Sequence, residues 1–437
     1  MAKQITRRSF LRSGAAAGAA LALAAKPVFA AKHLKPVRVG VVGVGARGTF
    51  HVKTLLTIPG VEIRAIGDII EEHAAQSQDL VEKATGKRPK AYTQGERDFE
   101  NLCKRDDLDA VLTATPWEWH TPVMLAAMRA GKYGATEVPA AITMDECWEL
   151  VKTSEQTGMP CMMLENVCYF QNALTILRMV REGAFGDLVH CEAGYQHDVR
   201  FTKINDKGEL LWRGQHSLVK NGNQYPTHPI GPVAQWMNIN RGDRFTYLVS
   251  MSTKGGGIRN FAAQKLGPDH PLAKQDYAQG DINTTLIKTA NGLTVTLYHD
   301  TNTPRPYDLI FRVQGTKGIY MGTLDKLFIE GVSPEHEQWE PFAPYMEKYA
   351  HPLWKDLAKE AAANGGHGGG DYITDYEFVK AVRNRTQTPQ DVYDAATWSV
   401  IVPLSIESVT KGSAPVEFPD YTAGKWKTNP PLPVYGA

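Results

Sequence analysis

Val37-Arg38-Val39-Gly40-Val41-Val42-Gly43-Val44-Gly45-Ala46-Arg47-Gly48 is the stretch that decides the fold. A short apolar run with four valines among six positions is followed at once by glycines and then by a helical pattern through Leu56, so the glycines join a strand to a helix. Gly43 permits the tight turn, Gly45 lets the backbone approach a pyrophosphate, and Gly48 lets helix and strand pack closely, while the helix N-terminus offers free N–H groups to the anion. A second strand, Val61 to Gly67, ends in Asp68. An acid there accepts hydrogen bonds from ribose hydroxyls and repels a 2′-phosphate, and no Lys or Arg follows directly. The pattern predicts a Rossmann βαβ unit that prefers NAD to NADP.

Working outward, a strand from Leu108 to Thr115 leads through Pro116-Trp117-Glu118-Trp119-His120 to a predicted helix, Pro122 to Ala130, and then to Thr136-Glu137-Val138-Pro139. Ligands of doubly wound sheets lie beyond the carboxyl ends of the strands, so both tips face the nicotinamide half of a dinucleotide. A helix over Met144 to Thr157 and a strand over Met159 to Leu164 close this unit near Asn166. After a helix from Asn172 to Glu182 come long alternating segments: Leu188 to Gln196, Phe245 to Ser252, Thr284 to Thr289, Thr294 to His299 and Tyr307 to Gln314. Ala290-Asn291-Gly292 reads as a hairpin turn, and helices return at Ile373 to Arg383 and Asp391 to Lys411. The expected class is α/β: an N-terminal doubly wound parallel sheet over residues 31–170 and a C-terminal α+β domain over 171–437 with a mainly antiparallel open sheet. The C-terminal helices are expected to reach back to the first domain.

The first thirty residues read as a cleaved leader. Thr6-Arg7-Arg8-Ser9-Phe10-Leu11, an Ala-rich run to Ala25 and Val28-Phe29-Ala30 fit a twin-arginine signal, which hands already folded proteins to its export machinery. A protein that must collect a cytoplasmic nucleotide before it leaves has reason to travel folded. The expected location is periplasmic or secreted. Beyond residue 31 no run reaches the roughly 18 apolar residues of a membrane span, so no membrane association is expected after processing. The leader holds five of the basic residues and no acid, which takes the rest of the chain from +1 to −4. Neither value suggests a nucleic-acid partner. Cys103, Cys147, Cys161, Cys168 and Cys191 form no C-x-x-C pair and read as buried, inert thiols.

The Gly43-to-Gly48 loop with Arg47, Asp68, Thr115-Pro-Trp-x-x-His120 and Glu137-Val-Pro139 resemble the glucose-fructose oxidoreductase and inositol dehydrogenase superfamily. Trp117-Glu-Trp-His120, Tyr225-Pro-Thr-His228 and Tyr298-His-Asp300 narrow the resemblance, over nearly the whole mature chain, to glycoside hydrolase family 109, the NAD-dependent α-N-acetylgalactosaminidases. One departure from the superfamily carries much of the inference: where its dehydrogenases read Glu-Lys-Pro, this chain has Val138, which cannot do acid–base work. Likewise the superfamily's Asp-x-x-x-His becomes Gln224-x-x-x-His228. Proton transfer then falls to Tyr or His.

The resemblance implies hydrolysis of terminal N-acetylgalactosamine with NAD tightly bound and not consumed. Hydride leaves sugar carbon 3, a base removes the proton now acidified at carbon 2, the aglycone is eliminated, water adds and the hydride returns. Family matching puts Tyr195, Arg213, Tyr225, Pro226, Thr227, His228 and Tyr307 at the sugar, with His228, Tyr225 and Tyr307 as candidates for proton transfer and Tyr169 as a further one. It puts Arg47 and Gly48, with Gly43 and Gly45 of the turn, at the pyrophosphate, Asp68 at the ribose, and Trp117, Glu118, Trp119, His120, Glu137, Val138 and Asn166 at the nicotinamide end. No metal is expected, because His197, Asp198, His299, Asp300 and His367 lack ligand spacing and read as solvated strand ends or loop. The open sheet suggests a homodimer. The competing reading is an exported NAD(P)-dependent sugar oxidoreductase of the glucose-fructose oxidoreductase type, and a third is a sugar-binding protein on an inactive dehydrogenase fold. Val138 favours the glycosidase.

Overall fold

Strand β1 (Val37–Val42) is almost wholly buried, as a strand of a parallel sheet must be when helices cover both faces. It lies at the centre of a six-stranded parallel sheet with β2 (Val61–Gly67), β3 (Lys90–Tyr92), β4 (Ala110–Thr113), β5 (Tyr133–Thr136) and β6 (Cys161–Met163), in the order β3-β2-β1-β4-β5-β6. The order reverses between β1 and β4, and such a switch point opens a crevice at the carboxyl ends of the strands. Helix α1 (Ala46–Thr57) starts on one side of it and helix α2 (Trp117–Arg129) on the other. The computed structural model describes residues 35–433 apart from residue 365, so the expected leader lies outside the described residues.

Helix α2 begins five residues earlier than the sequence predicts and runs through Pro122. Tertiary anchoring accounts for this. The His120 ring bonds to the Thr115 carbonyl at 2.8 Å and the Pro139 carbonyl at 2.7 Å, which fixes Trp117 to His120 as the first turn of the helix.

The second sheet has nine strands: β7 (Leu188–Gln196), β8 (Phe245–Ser252), β9 (Ile282–Thr289), β10 (Thr294–Asp300), β11 (Arg312–Gly315), β12 (Gly318–Met321), β13 (Lys326–Ile329), β14 (Glu340–Pro341) and β15 (Val416–Glu417). Their order is β14-β13-β12-β11-β7-β10-β9-β8-β15, antiparallel except for β7 beside β10. The β9–β10 turn follows the sequence, with Gly292 at φ +92° where a side chain would be strained. The strand expected from Tyr307 pairs continuously only from Arg312, because Ile310 at φ +45° breaks the extended backbone.

Helix α3 (Thr227–Trp236) lies against β7, and helix α4 (Gly370–Asn384) crosses back onto α1 and β1. The single helix expected over Asp391 to Lys411 is two, Val392–Ser399 and Ile401–Thr410, since Pro403 has no N–H for the Ser399 carbonyl. One hydrophobic core runs from β1 to these helices. All five cysteines are buried and unpaired, and burial pushes the Cys103, Cys147 and Cys161 thiols up to about 12, which keeps them inert. No helix among the described residues is long and apolar enough to cross a membrane.

Candidate active site

A cavity of about 660 Å³ runs along the switch point from Asp68 and His73, past Gly45 and Arg47, to Glu137 and His228. At its first end Gly43 has φ +77°, and a Cβ on Gly48 would lie 1.8 Å from the Gly43 carbonyl oxygen. Gly48 is therefore a packing residue beneath the turn rather than a surface of the cavity. Gly45 is open, its nearest neighbour on that side being the His73 ring at 3.9 Å. Asp68 is held by the Val44 N–H at 2.7 Å and the Ile70 N–H at 2.9 Å, which aims a fixed carboxylate at the end of β2. An open glycine at a helix N-terminus, a fixed acid one strand over and a cavity this long fit a dinucleotide.

In the middle of the cavity Glu137 is enclosed by cations. It accepts hydrogen bonds from Arg47 and from the buried His51 at 2.9 Å, while His51 reaches Asp375 of α4 at 3.0 Å with its other nitrogen. Burial opposes ionisation of Glu137, but Arg47 and His51 outweigh it and hold the carboxyl well below its usual range. His51 is raised to about 9, because Asp375 more than offsets its own burial. Arg47 also donates to Asp371 at 2.9 Å, and Asp371 accepts from Asn166 and pairs with His367 at 2.7 Å. Val138 lines the cavity beside Glu137.

At the far end Trp117, Tyr195, Tyr225, Arg213 and His228 form an aromatic and cationic wall. The rings of Tyr195 and Tyr225 are 4.7 Å apart, that of His228 lies 5.4 Å and 4.9 Å from them, and the Arg213 guanidinium stacks on Trp212 at 4.0 Å. His228 Nδ1 pairs at 2.6 Å with Glu165, whose carboxylate is fully buried. Glu165 Oε1 also accepts the Val167 N–H at 3.1 Å, whereas Oε2 has no hydrogen-bond partner among the described residues. The pair fixes the ring and leaves Nε2 for a ligand. Burial pushes the Tyr195 phenol up to about 12 and the Tyr225 phenol well above its ordinary value, so both are hydrogen-bond donors at neutral pH.

Several expected site residues lie elsewhere. Glu118 turns away from the cavity toward His216, at 3.5 Å. Pro226 and Thr227 are buried at the start of α3 and do not line the cavity. Tyr307 is 43 % exposed and is not among the residues lining the cavity, but its ring lies beside the aromatic wall, 4.8 Å from that of His197 and 6.1 Å from that of Tyr195. Tyr169 is buried away from the cavity, its carbonyl accepting from Trp354. His299 and Asp300 are not solvated strand ends; both are buried. His299 borders a chamber of about 140 Å³ behind Tyr195 that also exposes Lys203, whose Nζ donates to Gln279, Thr301 and Asn302. Burial brings Lys203 down to about 7. The residues missed in the sequence are Glu165, His51, Asp371 and the cavity-lining role of His367. Glu165, His51 and Asp371 take partners from distant segments, whereas His367 pairs with Asp371 one turn away and lies in a glycine-rich stretch that reads as loop.

Residues 37–165 match the oxidoreductase family with an NAD-binding Rossmann fold, which defines the class, and the cofactor is NAD. Residues 169–428 match the C-terminal domain of glycosyl hydrolase 109, and residues 4–24 the twin-arginine translocation signal, so the protein is exported across the cytoplasmic membrane. Relatives include an alpha-N-acetylgalactosaminidase of Tannerella forsythia, 45 % identical with 96 % of this chain and 97 % of that one covered, and a glycosyl hydrolase family 109 protein of Parabacteroides distasonis, 43 % identical with the same coverage. Among solved structures, levoglucosan dehydrogenase in complex with NADH shares the fold at TM-score 0.68 and 21 % identity, covering 88 % of this chain and all of that one. Apo scyllo-inositol dehydrogenase from Lactobacillus casei shares it at TM-score 0.62 and 14 % identity, covering 88 % of this chain and 98 % of that one. The chain belongs to glycoside hydrolase family 109.

Proposed function

We propose that the protein removes terminal α-linked N-acetylgalactosamine by transient oxidation of the sugar, with residues 31–170 holding the cofactor and 171–437 the substrate. Bound NAD supplies reversible hydride acceptance at sugar carbon 3. Asp68 takes the adenosine ribose, the open backbone from Gly43 to Arg47 the pyrophosphate, and Glu137, Val138, His120 and Asn166 surround the nicotinamide end. The observation that carries the reading is the His228–Glu165 pair at 2.6 Å on the sugar side of a nucleotide cavity. His228 Nε2 takes the proton at carbon 2, and Glu165 stabilises the imidazolium that results. Tyr195 and Tyr225 donate to the enolate oxygen that develops at carbon 3, and Arg213 holds hydroxyls or the acetamido carbonyl. Val138, 2 % exposed, offers no proton acceptor at the position where superfamily dehydrogenases carry Lys.

The test uses purified protein without added nucleotide and p-nitrophenyl α-N-acetylgalactosaminide, followed at the nitrophenol and NADH wavelengths. Nitrophenol release with no accumulation of NADH is expected. Stoichiometric reduction of the bound cofactor by free sugar, with no aglycone released, would establish a sugar oxidoreductase instead. We further propose a homodimer. Tyr247, Met251 and Leu286 are exposed large apolar residues on neighbouring strands of the second sheet, and a second copy would cover them. Sedimentation of the mature protein at twice the monomer mass is the expected result.

A further inference from the structure

Trp117 is the first residue of α2, yet the groups packed on its ring come from far along the chain. Trp212 meets it edge-on at 4.9 Å, His216 lies 5.2 Å away, Tyr225 stacks at 5.8 Å and the Arg213 guanidinium sits 5.7 Å from the ring centre. The residue is buried. A side chain that rides on the parallel-sheet half of the molecule is thus a knob in a socket supplied by the other half, held by aromatic and cation–π contacts. Trp117, Trp212 and Arg213 all line the cavity, so this joint is part of its wall.

The socket is fastened to the nine-stranded sheet. Ser217 Oγ, on the short helix Trp212–Val219, donates to Gln279 at 2.6 Å. The Ala278 and Gln279 N–H groups donate to the Leu218 and Ser217 carbonyls at 3.1 Å, just ahead of β9. The helix therefore moves with that sheet and α2 moves with the other. At the solvent edge of the joint the two are tied by charge: Glu118, directly after Trp117, pairs with His216 at 3.5 Å. The His216 ring holds the Glu118 carboxyl below its ordinary value. Neither residue lines the cavity. Glu118 thus has a partner and a place, but no contact with a ligand.

We propose that the Glu118–His216 pair is a latch that keeps Trp117 in its socket and so slows the escape of NAD from the cavity. Both are positioning residues, because they act through Trp117 and not on the cofactor itself. Separation of Trp117 from Trp212 opens the cavity wall, and the ion pair opposes that separation from outside. The proposal rests on the reading above in which NAD stays bound through each turnover. An exported protein has no cytoplasmic pool from which to replace a lost cofactor, which gives a latch its use.

The test loads the protein with NAD, adds an excess of ethenoadenine NAD, a fluorescent analogue, and follows the exchange. Wild type is compared with Glu118→Gln, with Glu118→Lys, and with Glu118→Lys combined with His216→Glu. Melting temperature and kcat on p-nitrophenyl α-N-acetylgalactosaminide are measured beside it. Glu118→Gln should release NAD about threefold to fivefold faster, which is the range an exposed ion pair carries, and Glu118→Lys faster again. The exchanged pair should return to within about twofold of the wild-type rate. Melting temperature and the kcat of NAD-loaded protein should stay as in wild type. Release at the wild-type rate from both single variants, or no recovery in the exchanged pair, would overturn the proposal. So would a melting temperature that falls in step with faster release, since that marks a general loosening. A wild type that exchanges its NAD within a single turnover would instead overturn the retained-cofactor reading on which the proposal rests.

Discussion

The cofactor half of the cavity and its sugar half are built in opposite ways. The cofactor half is made of short contiguous motifs at strand ends, and its central carboxylate, Glu137, is neutralised by Arg47 and His51. The sugar half sets Glu165 on His228 and Tyr195 against Tyr225, and leaves the His228 Nε2 open toward the ligand. On the proposed reading one half holds a cofactor that is not consumed, and its charges are satisfied internally. The other must move protons, so some of its groups are left unsatisfied until substrate arrives.

That contrast can be broken from either side. The largest effect is expected from Gly48→Ala, because the added Cβ meets backbone at 1.8 Å and cannot be relieved by a side-chain rotation. The variant should lose both bound NAD and turnover, and retention of NAD on denaturing release would contradict the packing role of Gly48. Next, His228→Ala should keep NAD while kcat on the p-nitrophenyl glycoside falls by about 10³–10⁴-fold. Glu165→Gln should cost about a hundredfold and shift the pH profile of kcat, as expected for a group that acts through His228. Cofactor loss in either sugar-half variant would show that the two halves are not separable.

Smaller effects sharpen the cofactor side. His51 is raised to about 9 in the folded protein, so its contribution to stability is fully present below its unfolded value near 6.5 and is lost as the pH rises through about 9. Thermal unfolding followed from pH 6 to 10 should show a loss on the order of 3 kcal/mol that accrues between the unfolded value near 6.5 and about 9, and His51→Gln should flatten the curve. Smallest of all, Asp68→Asn should leave the fold intact and improve NADP binding relative to NAD by about tenfold, read by titration of apoprotein, since it removes a charge that repels the 2′-phosphate.

The same contrast explains what could be read from the sequence. Gly43, Gly45, Gly48 and Asp68 lie within one βαβ unit, so their spacing carries their geometry, and most strands of the second sheet were legible from alternation. Helix α2 was not, because its start depends on the His120 ring bonding to the Thr115 and Pro139 carbonyls, the latter 19 residues away. His51 was missed since its value comes from Asp375, 324 residues distant. Glu165 lies 63 residues from His228, with no local pattern to join them. His367 and Asp371 are only one helical turn apart, yet the surrounding glycines read as plain loop. Their tight packing against Asp371 appears only in three dimensions.

The central claim is that net hydrolysis proceeds through a 3-keto sugar, and isotopes test it most directly. Wild-type protein is incubated in D2O with a p-nitrophenyl α-N-acetylgalactosaminide labelled with deuterium at carbon 3, and the sugar product is read by NMR and mass spectrometry. The account predicts solvent deuterium at carbon 2 together with retention of the carbon 3 label. A hydrolysed product that carries protium at carbon 2 would contradict it.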